Sequence, residues 1–597
     1  MHGSKYSKKM MSMGRLRNSN FSHVIRISPC PVTLKIDILL ICYKTYKYQY
    51  INIFPYGSYF VLDFLNVKSY LSYGLTSEDL SMTTTIQIDS VVFNGGTSAD
   101  LQAAINTAIA QGKPLQLVPG FTAPSTVTNV FTADNLVIGT TRPFRMFAAP
   151  GSVTLKMSVN NSVILKIQSS NNVEISGINF DGSYNPSAPT PILANPGLIY
   201  VRQSSRVRFE KCRVFSSSKS GILFDTCGTT VSVPYNPYGA AATFDDISGS
   251  VENCEIYSCF NDFAIGGLSS AGLNISNNVI RDCKGNGVYL SGYDFAPLAN
   301  SPAVGNTTNK SYFNGGRVEG NIITDIGVVN AASSGQEGNA VVTYLANNVT
   351  ISNNTIRYCK FSAVRVNACT QTVIANNNCY ALGEAAIFIE EPDGGFVVGK
   401  HPVGTVVSNN IINQCTAGVA HTNFGFANAG MRLAAISGNI IRNVHRSGKF
   451  AGYGILSEGD SAITGNLIEY AETAGIILGT NGGARDMTSV GNIVRGCRWG
   501  IGITDATNSG PILVEGNLVH QNTSASGGVA ASVLANAVVS MVYDPNNAAL
   551  ATTYSPTGAM PDGQTTKPWA VLSGNYRTIS TSVVVSTDGA EALPSFV

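Results

Sequence analysis

Arg365, Glu390 and Glu337 are the side chains whose types and setting best suit proton transfer. Each lies in or beside a short segment of alternating residues, such as SAVRVNA and AAIFIE. Two carboxyl groups flanking a glycosidic bond can hydrolyse it, whereas an Arg beside a carboxylate can hold or polarise a uronate. Two catalytic hypotheses therefore stay open. Either Arg365 or Glu390 transfers a proton in a lyase or epimerase, or Glu390 works with Glu458 or Asp393 in a hydrolase.

Aromatic, amide and acidic side chains at comparable positions of these segments are candidates for substrate binding. Aromatic rings offer flat apolar faces to sugars, and Glu337 could orient a substrate together with the amides. The competing interpretation of Arg365 and Glu390 is an ordinary solvated salt bridge, and His421 aligns with inward-facing positions. The predicted substrate-binding residues are Tyr289, Tyr344, Asn339, Asn367, Phe388, Asn423 and Glu458.

A repeated sequence pattern predicts where these residues lie in the fold. The pattern V/I-x-G/N-N-x-I/V recurs with spacings of 43, 33, 23, 33, 29, 27, 26 and 25 residues between its aligned Asn residues. A shortest spacing of 23 residues, with the other spacings longer by irregular amounts, is typical of a β-solenoid with loop insertions. The aligned residues are Asn278, Asn321, Asn354, Asn377, Asn410, Asn439, Asn466, Asn492 and Asn517.

Alternation within each copy predicts short strands with one buried face. The sequence therefore predicts an all-β right-handed parallel β-helix of about ten or more coils. Asn tolerates the left-handed conformation at corners and can hydrogen-bond from coil to coil. A second strand, usually led by Gly or Ala, follows in most copies, and its outward side chains include the candidates above. Insertions at 293–315, 328–338 and 391–404 are expected to border the middle of the groove that these outward side chains form.

The sequence also predicts where the solenoid begins and ends. The segment GTSADLQAAINTAIAQGKPLQLVPG predicts a short capping helix near residues 98–111, started by Ser98 or Asp100 and ended by Gly112. Residues 1–81 carry ten Lys and Arg against four Asp and Glu, while the rest carries 28 against 32. We expect residues 1–81 to be a disordered or mis-annotated extension, 82–580 to form the β-helix, and 581–597 to be a frayed tail.

Composition excludes several classes of function. Charged residues make up 12% of the chain and the formal net charge is +2, so no basic field for nucleic acid is expected. No segment has the apolar length of a membrane span. The cysteines follow the repeat frame and are predicted to be buried thiols rather than disulfides. No metal site or cofactor is predicted; Ca²⁺ is compatible with the chain but has no motif.

Two stretches carry a family resemblance. The cap ADLQAAI, the strand ending VPG and NNVEISGINFDGS resemble the opening of the pectate-lyase-like β-helix superfamily. Between Gly335 and Val444, GQEGNAV, NVTISNNTIRYCKFSAVRVNA, GEAAIFIE, HTNFG and MRLAAISGNIIRNV are similar to the twin-arginine-translocated repetitive β-helix proteins of bacteria. The resemblance covers about residues 90–580 and implies the fold and an exported location, periplasmic or extracellular, but no reaction. The chain departs from that family in having no Arg-Arg pair.

Two functions follow as hypotheses. The first is binding, with possible cleavage or epimerisation, of an acidic polysaccharide in a groove on one sheet face. The second is a non-catalytic exported structural or glycan-binding surface protein, which Asn-rich, weakly charged repeats suit equally well. Fold analogy alone cannot separate them, and the oligomeric state is left open, a trimer included.

Overall fold

The computed structural model describes part of the chain, in two compact units divided between Asp89 and Ser90. In the first unit the strands Ser22–Arg26 and Tyr59–Asp63 pair antiparallel. The described residues are 22–26, 59–63, 89–122, 126–128, 130–158, 163–187, 197–228, 247–292, 313–328, 337–390, 402–421, 433–447, 450–479, 486–497, 499–504, 512–520, 538–541, 570–573 and 576–578.

Three parallel sheets form the second unit, and each coil contributes one strand to each sheet in turn. This confirms the predicted right-handed parallel β-helix of ten or more coils. The 16 strands of sheet I are Val91–Phe93, Leu115–Leu117, Phe144–Phe147, Asn171–Ser176, Ser205–Glu210, Gly249–Glu252, Ala271–Ser276, Phe313–Glu319, Ala346–Ser352, Val373–Ala375, Val406–Ser408, Ala434–Ser437, Ser461–Thr464, Met487–Val490, Ile512–Glu515 and Ala570–Ser573.

Sheets II and III follow sheet I in each coil. The 15 strands of sheet II are Val130–Thr132, Thr154–Lys156, Asn179–Asp181, Arg213–Ser217, Glu255–Cys259, Val279–Arg281, Ile322–Ile326, Thr355–Cys359, Asn378–Leu382, Ile411–Cys415, Ile440–Val444, Leu467–Ala471, Ile493–Arg495, Leu518–His520 and Tyr576–Thr578. The 14 strands of sheet III are Leu136–Ile138, Leu165–Gln168, Gly197–Arg202, Ser220–Asp225, Phe263–Leu268, Asn286–Ser291, Val341–Tyr344, Val364–Asn367, Ala385–Glu390, Ala417–His421, Tyr453–Ser457, Ala474–Leu478, Trp499–Thr504 and Val538–Met541. Two short antiparallel pairs stand apart from these sheets, Gly120–Thr122 with Thr126–Thr128 and Arg446–Ser447 with Phe450–Ala451.

The interior is one continuous apolar core, because alternate side chains of every strand point inward. It runs from Phe93 to Val519. The helix Ser98–Gln111 packs Leu101, Ile105 and Ala108 into it, which confirms the predicted cap. The helix start differs from the prediction. Thr97 is the N-cap, and Asp100 completes a capping box by accepting the Thr97 backbone N–H at 2.8 Å.

The nine aligned Asn residues form a buried ladder at the corner between sheets I and II. Each Asn from 278 to 492 donates its side-chain amide to the Oδ1 of the next one at 2.9–3.0 Å. The expectation that these Asn occupy the left-handed conformation is wrong. The preceding residue does so instead, as Asn409 (φ 56°) and Gly438 (φ 67°) show, because the ladder residue must point its side chain inward.

Cys212 and Cys254 continue the ladder below Asn278. The Cys212 backbone N–H lies 3.3 Å from Cys254 Sγ, and the Cys254 N–H donates to Asn278 Oδ1 at 2.9 Å. All ten cysteines among the described residues are free and buried. The prediction of internal thiols is confirmed for these ten.

Insertions concentrate at one corner of the coil. Residues 226–248, 292–312, 391–405 and 422–433 all connect the end of a sheet III strand to the next sheet I strand. Residues 327–340 instead lead from sheet II into sheet III. Among the middle strands of sheet III, Val341–Tyr344 is therefore preceded by an insertion, whereas Asn286–Ser291 and Ala385–Glu390 are followed by one.

Candidate functional site

The outer face of sheet III carries the candidate residues in two rows. The first, the Arg365 row, pairs Tyr289, Val342, Arg365 and Phe388 on successive coils. The second, the Glu390 row, pairs Ser291, Tyr344, Asn367 and Glu390. Residues between the rows, such as Val366 and Ile389, belong to the main core. The register therefore brings together residues that lie up to 101 positions apart in sequence.

Arg365 lies at the centre of a buried charged cluster. Its Nε donates to Glu390 Oε1 at 2.7 Å, and its Nη2 is 2.5 Å from the same oxygen. Its Nη1 is 3.6 Å from Glu384 Oε2, which also accepts the Ser362 hydroxyl at 3.2 Å. The guanidinium stacks on the Phe388 ring, 5.0 Å from its centroid. Arg365 is 5% exposed and Glu390 7%, so the expected solvated salt bridge is in fact a desolvated pair.

Glu384 is the residue that sequence reasoning missed. It directly precedes the strand Ala385–Glu390, at the corner between sheets II and III. Its contacts with Arg365 and Ser362 make it the second counter-charge of the cluster. Strand alternation gives no signal for this contact, because the contact depends on the register between neighbouring coils.

Glu458 is the carboxylate that directly follows the strand Tyr453–Ser457. It follows Ser457, which pairs with His421, which pairs with Ile389. Glu458 is therefore two rungs from Glu390, about 10 Å at the backbone given the spacing of neighbouring strands. It is 5% exposed. The alternative partner Asp393 and the predicted binding residue Asn423 lie outside the described residues.

The aromatic candidates belong to a compact apolar cluster on this face. Tyr289 stacks on Phe263 with 5.5 Å between ring centroids and 4° between ring planes. Tyr344 and Leu223 pack in the same buried cluster. Burial raises the pKa of the Tyr289 hydroxyl far above its ordinary value. One face of the Tyr289 ring is therefore already covered by Phe263.

The two predicted substrate-binding Asn residues lie at opposite ends of sheet III strands. Asn367 lies fully buried in the Glu390 row. Asn339 is also fully buried, and it accepts the Ser362 backbone N–H at 3.0 Å while its own N–H donates to Asn286 at 3.0 Å. Its side chain therefore serves a second corner ladder. A role of either Asn in orienting a substrate stays a prediction.

Glu337 lies at the entry end of the strand Val341–Tyr344, whereas Glu390 ends its own strand. Burial, followed by the charge of Glu337, raises the pKa of the nearby Asp262 carboxyl, and Lys219 opposes this shift. The proposed catalytic role of Glu337 stays a prediction.

His421 faces inward, as its alignment predicted. It is fully buried, and its Nδ1 is 2.9 Å from Ser457 Oγ. Burial lowers the pKa of its imidazole to about 4. It belongs to the core rather than to the outer rows.

Metal and membrane features are absent from the described part of the chain. There, no three His, Cys, Asp or Glu side chains lie close enough together to hold a metal ion. No helix in the same residues combines the length and apolar character needed to cross a bilayer.

Comparison with known proteins agrees with the fold. Residues 164–315 match the family model described as a right handed beta helix region. No curated protein gives a significant match. The match covers the repeat region alone, so membership of the twin-arginine-translocated family stays a prediction.

Several solved structures are similar at low identity. The Dettilon tailspike protein is 15% identical over 71% of this chain and 68% of its own, with a TM-score of 0.38. The A-module of the mannuronan C-5 epimerase AlgE6 of Azotobacter vinelandii is 18% identical over 59% and 91% (TM-score 0.39). An alginate lyase from Paenibacillus sp. is 12% identical over 64% and 95% (TM-score 0.32). These scores lie below 0.5, so no activity is transferred from them.

Proposed function

We propose that this protein binds a polysaccharide along the outer face of sheet III and hydrolyses it with Glu390 and Glu458. The observation that carries the proposal is the anchoring of Glu390. Arg365 holds its Oε1 with two N–H groups, while Oε2 has no hydrogen-bond partner among the described residues. A carboxylate fixed through one oxygen and open at the other is suited to act on a substrate or a water molecule.

The spacing of Glu390 and Glu458 supports hydrolysis with inversion. The two residues lie two rungs apart. A backbone separation of about 10 Å is compatible with the roughly 6.5–9.5 Å between carboxyl groups that leaves room for a water molecule in inverting enzymes. Because Arg365 holds Glu390 through two N–H groups, we assign Glu390 the base role and assign Glu458 the acid role.

Proton abstraction by Arg365 fits the geometry less well. A guanidinium is ordinarily always charged, and Arg365 is paired with two carboxylates. With Glu384 and Glu390 against Arg365, and with Glu458 protonated as the acid, the formal charge of these four side chains is −1. A uronate polymer, the substrate class expected from the sequence, would be repelled here, so we propose a neutral glycan. Secretion, as the family resemblance implies, would bring the protein into contact with such polymers.

The test is a panel of neutral and uronate polysaccharides assayed for new reducing ends, with product stereochemistry read by NMR. We expect Glu390→Gln and Glu458→Gln each to lower kcat by about 10²-fold or more, because each removes an acid or base. Glu515→Gln is the matched control, since Glu515 is exposed on sheet I. Ultraviolet absorbance from unsaturated product ends, or full activity in Glu390→Gln, would contradict the proposal.

One observation favours the non-catalytic alternative. Every predicted site residue of the two rows is buried, Phe388 and Asn367 completely. Rows of buried side chains are also what a rigid scaffold needs. Absence of new reducing ends on every polymer of the panel, together with an unchanged polymer size, would favour a structural or glycan-binding surface protein.

A further inference from the structure

A second polar cluster occupies the same outer face, near its N-terminal end. The Tyr200 hydroxyl donates to Asp225 Oδ2 at 2.6 Å, and the Thr226 hydroxyl donates to Asp225 Oδ1 at 2.9 Å. Arg202 Nε lies 3.8 Å from Asp225 Oδ2, which is too long for a hydrogen bond. Asp225 is therefore held in place, while the Arg202 guanidinium makes no hydrogen bond to a described residue.

Register links this cluster to the candidate site. Tyr200 is in the Arg365 row, through Leu223, Gly266 and Tyr289. Arg202 and Asp225 are in the Glu390 row. Asp225 and Glu390 are five rungs apart, about 24 Å along the helix axis. Both clusters therefore lie on one line parallel to that axis.

The two clusters differ in exposure and charge. The Arg202 side chain is 38% exposed, and Tyr200 is half-buried, in contrast to the buried Arg365. Arg202 and Asp225 balance each other in charge. Burial and the Asp225 carboxylate raise the pKa of Tyr200 far above its ordinary value, so this hydroxyl remains a donor. Exposed guanidinium donors beside fixed hydroxyls can bind sugar hydroxyls without requiring a charged ligand.

We propose that Tyr200, Arg202 and Asp225 form a distal subsite for the same neutral polysaccharide, with the polymer lying along the axis of the β-helix. The proposal rests on the proposed function for the position of the substrate. One pyranose unit is about as long as the step between rungs, so a polymer in this orientation advances about one sugar per coil. Occupying both clusters therefore requires about six sugars, and shorter oligomers reach only one of them.

The test is direct binding by calorimetry in the Glu390→Gln background, which prevents turnover. The probes are β-1,4-linked gluco-oligosaccharides and oligomannuronates, each from two to eight residues. In the neutral series we expect affinity to rise at about six residues. Arg202→Gln and Asp225→Asn should each remove that rise, about 10-fold for the loss of a hydrogen bond to a charged group, and leave dimer to tetramer unchanged. Arg208→Gln is the matched control, because its side chain is similarly exposed (43%) but lies on sheet I.

Three results would overturn the distal subsite. The first is a rise in affinity at about six sugars that persists in both variants. The second is an equal loss of affinity for oligosaccharides of every length. The third is an affinity that does not rise with length in the neutral series. Failure of the proposed hydrolysis gives a different result. Wild-type protein would then release no reducing ends, while the equilibrium length dependence and its loss in the variants would still be measured.

Discussion

Arg365 and Glu390 show how a side chain can point outward and still be buried. Alternation along the strand correctly gave their orientation, since their neighbours Val366 and Ile389 are in the core. The pair is buried away from water. Removing one partner is costly because it leaves the other charge buried without a counter-charge. The candidate site is therefore also a structural element, and its variants need a stability measurement beside the activity assay.

Arg365→Ala is predicted to destabilise the fold by about 3–5 kcal/mol, because it leaves Glu384 and Glu390 without their shared counter-charge. Chemical denaturation at neutral pH measures this loss. Arg442→Ala is the control. Arg442 is half-exposed and shares Glu469 with Arg495, so its loss should cost less than about 1 kcal/mol. Equal effects of the two changes would show that the Arg365 cluster is not buried in solution.

His421 predicts a pH dependence of stability. Its pKa is about 4 in the folded protein, against 6.5 for the free imidazole, so the unfolded chain binds a proton that the folded chain does not. His421 therefore does not lower the free energy of unfolding above pH 6.5. The free energy of unfolding then falls by about 3 kcal/mol as the pH drops to about 4. Denaturation curves between pH 4 and 7 should show this loss in wild type.

His421→Leu should flatten that part of the profile relative to wild type, since it removes the titrating group and keeps an apolar side chain of similar size. His445→Gln is the matched control, because His445 is exposed beside Glu472. A wild-type slope that persists in His421→Leu would assign the pH dependence to other groups.

At the scale of the element, the Asn ladder joins consecutive coils. Asn410 accepts from both the backbone and the side chain of Asn377, and its amide donates to Asn439 Oδ1 and to the Ile374 carbonyl, all at 3.0 Å. One side chain thus links its own coil to the coils on both sides. The hydrogen bonds satisfy backbone groups at a corner where no sheet pairing is available to them.

Asn410→Ala is predicted to destabilise the protein by about 3 kcal/mol or more, because it leaves buried donors of Asn377 without an acceptor. Thermal or chemical denaturation measures the change. Asn378→Ala, at an exposed position of the preceding coil's sheet II strand, should change stability by less than about 0.5 kcal/mol. A loss in Asn410→Ala no larger than in this control would show that the ladder contributes nothing.

At the scale of the whole molecule, the continuous core predicts unreactive thiols. Ten of the twelve cysteines are buried and free, and burial raises the pKa of Cys369 to about 11 and of Cys379 to about 12. A thiol reagent should modify at most two cysteines in the native protein and all twelve in denaturant. Faster modification of a third cysteine would mean that the coils open locally.

The architecture can be predicted from the amino-acid sequence, because a solenoid repeats the same local rules in every coil. The Asn and Cys positions, the inward and outward faces and the cap helix could all be read from periodicity and spacing. The identity of the left-handed corner residue could not, since Asn409 and Asn410 are the same residue type and differ only in which one the corner turns inward.

Tertiary structure alone decided what the outward residues contact. Alternation assigns a face, but it does not give the register between coils that are separated by insertions of different length. Only that register places Glu384 on Arg365, Phe263 on Tyr289, and Asp225 in line with Glu390. Burial of the rows is likewise a property of the assembled coils, because a strand's own sequence does not record what packs against its outer face.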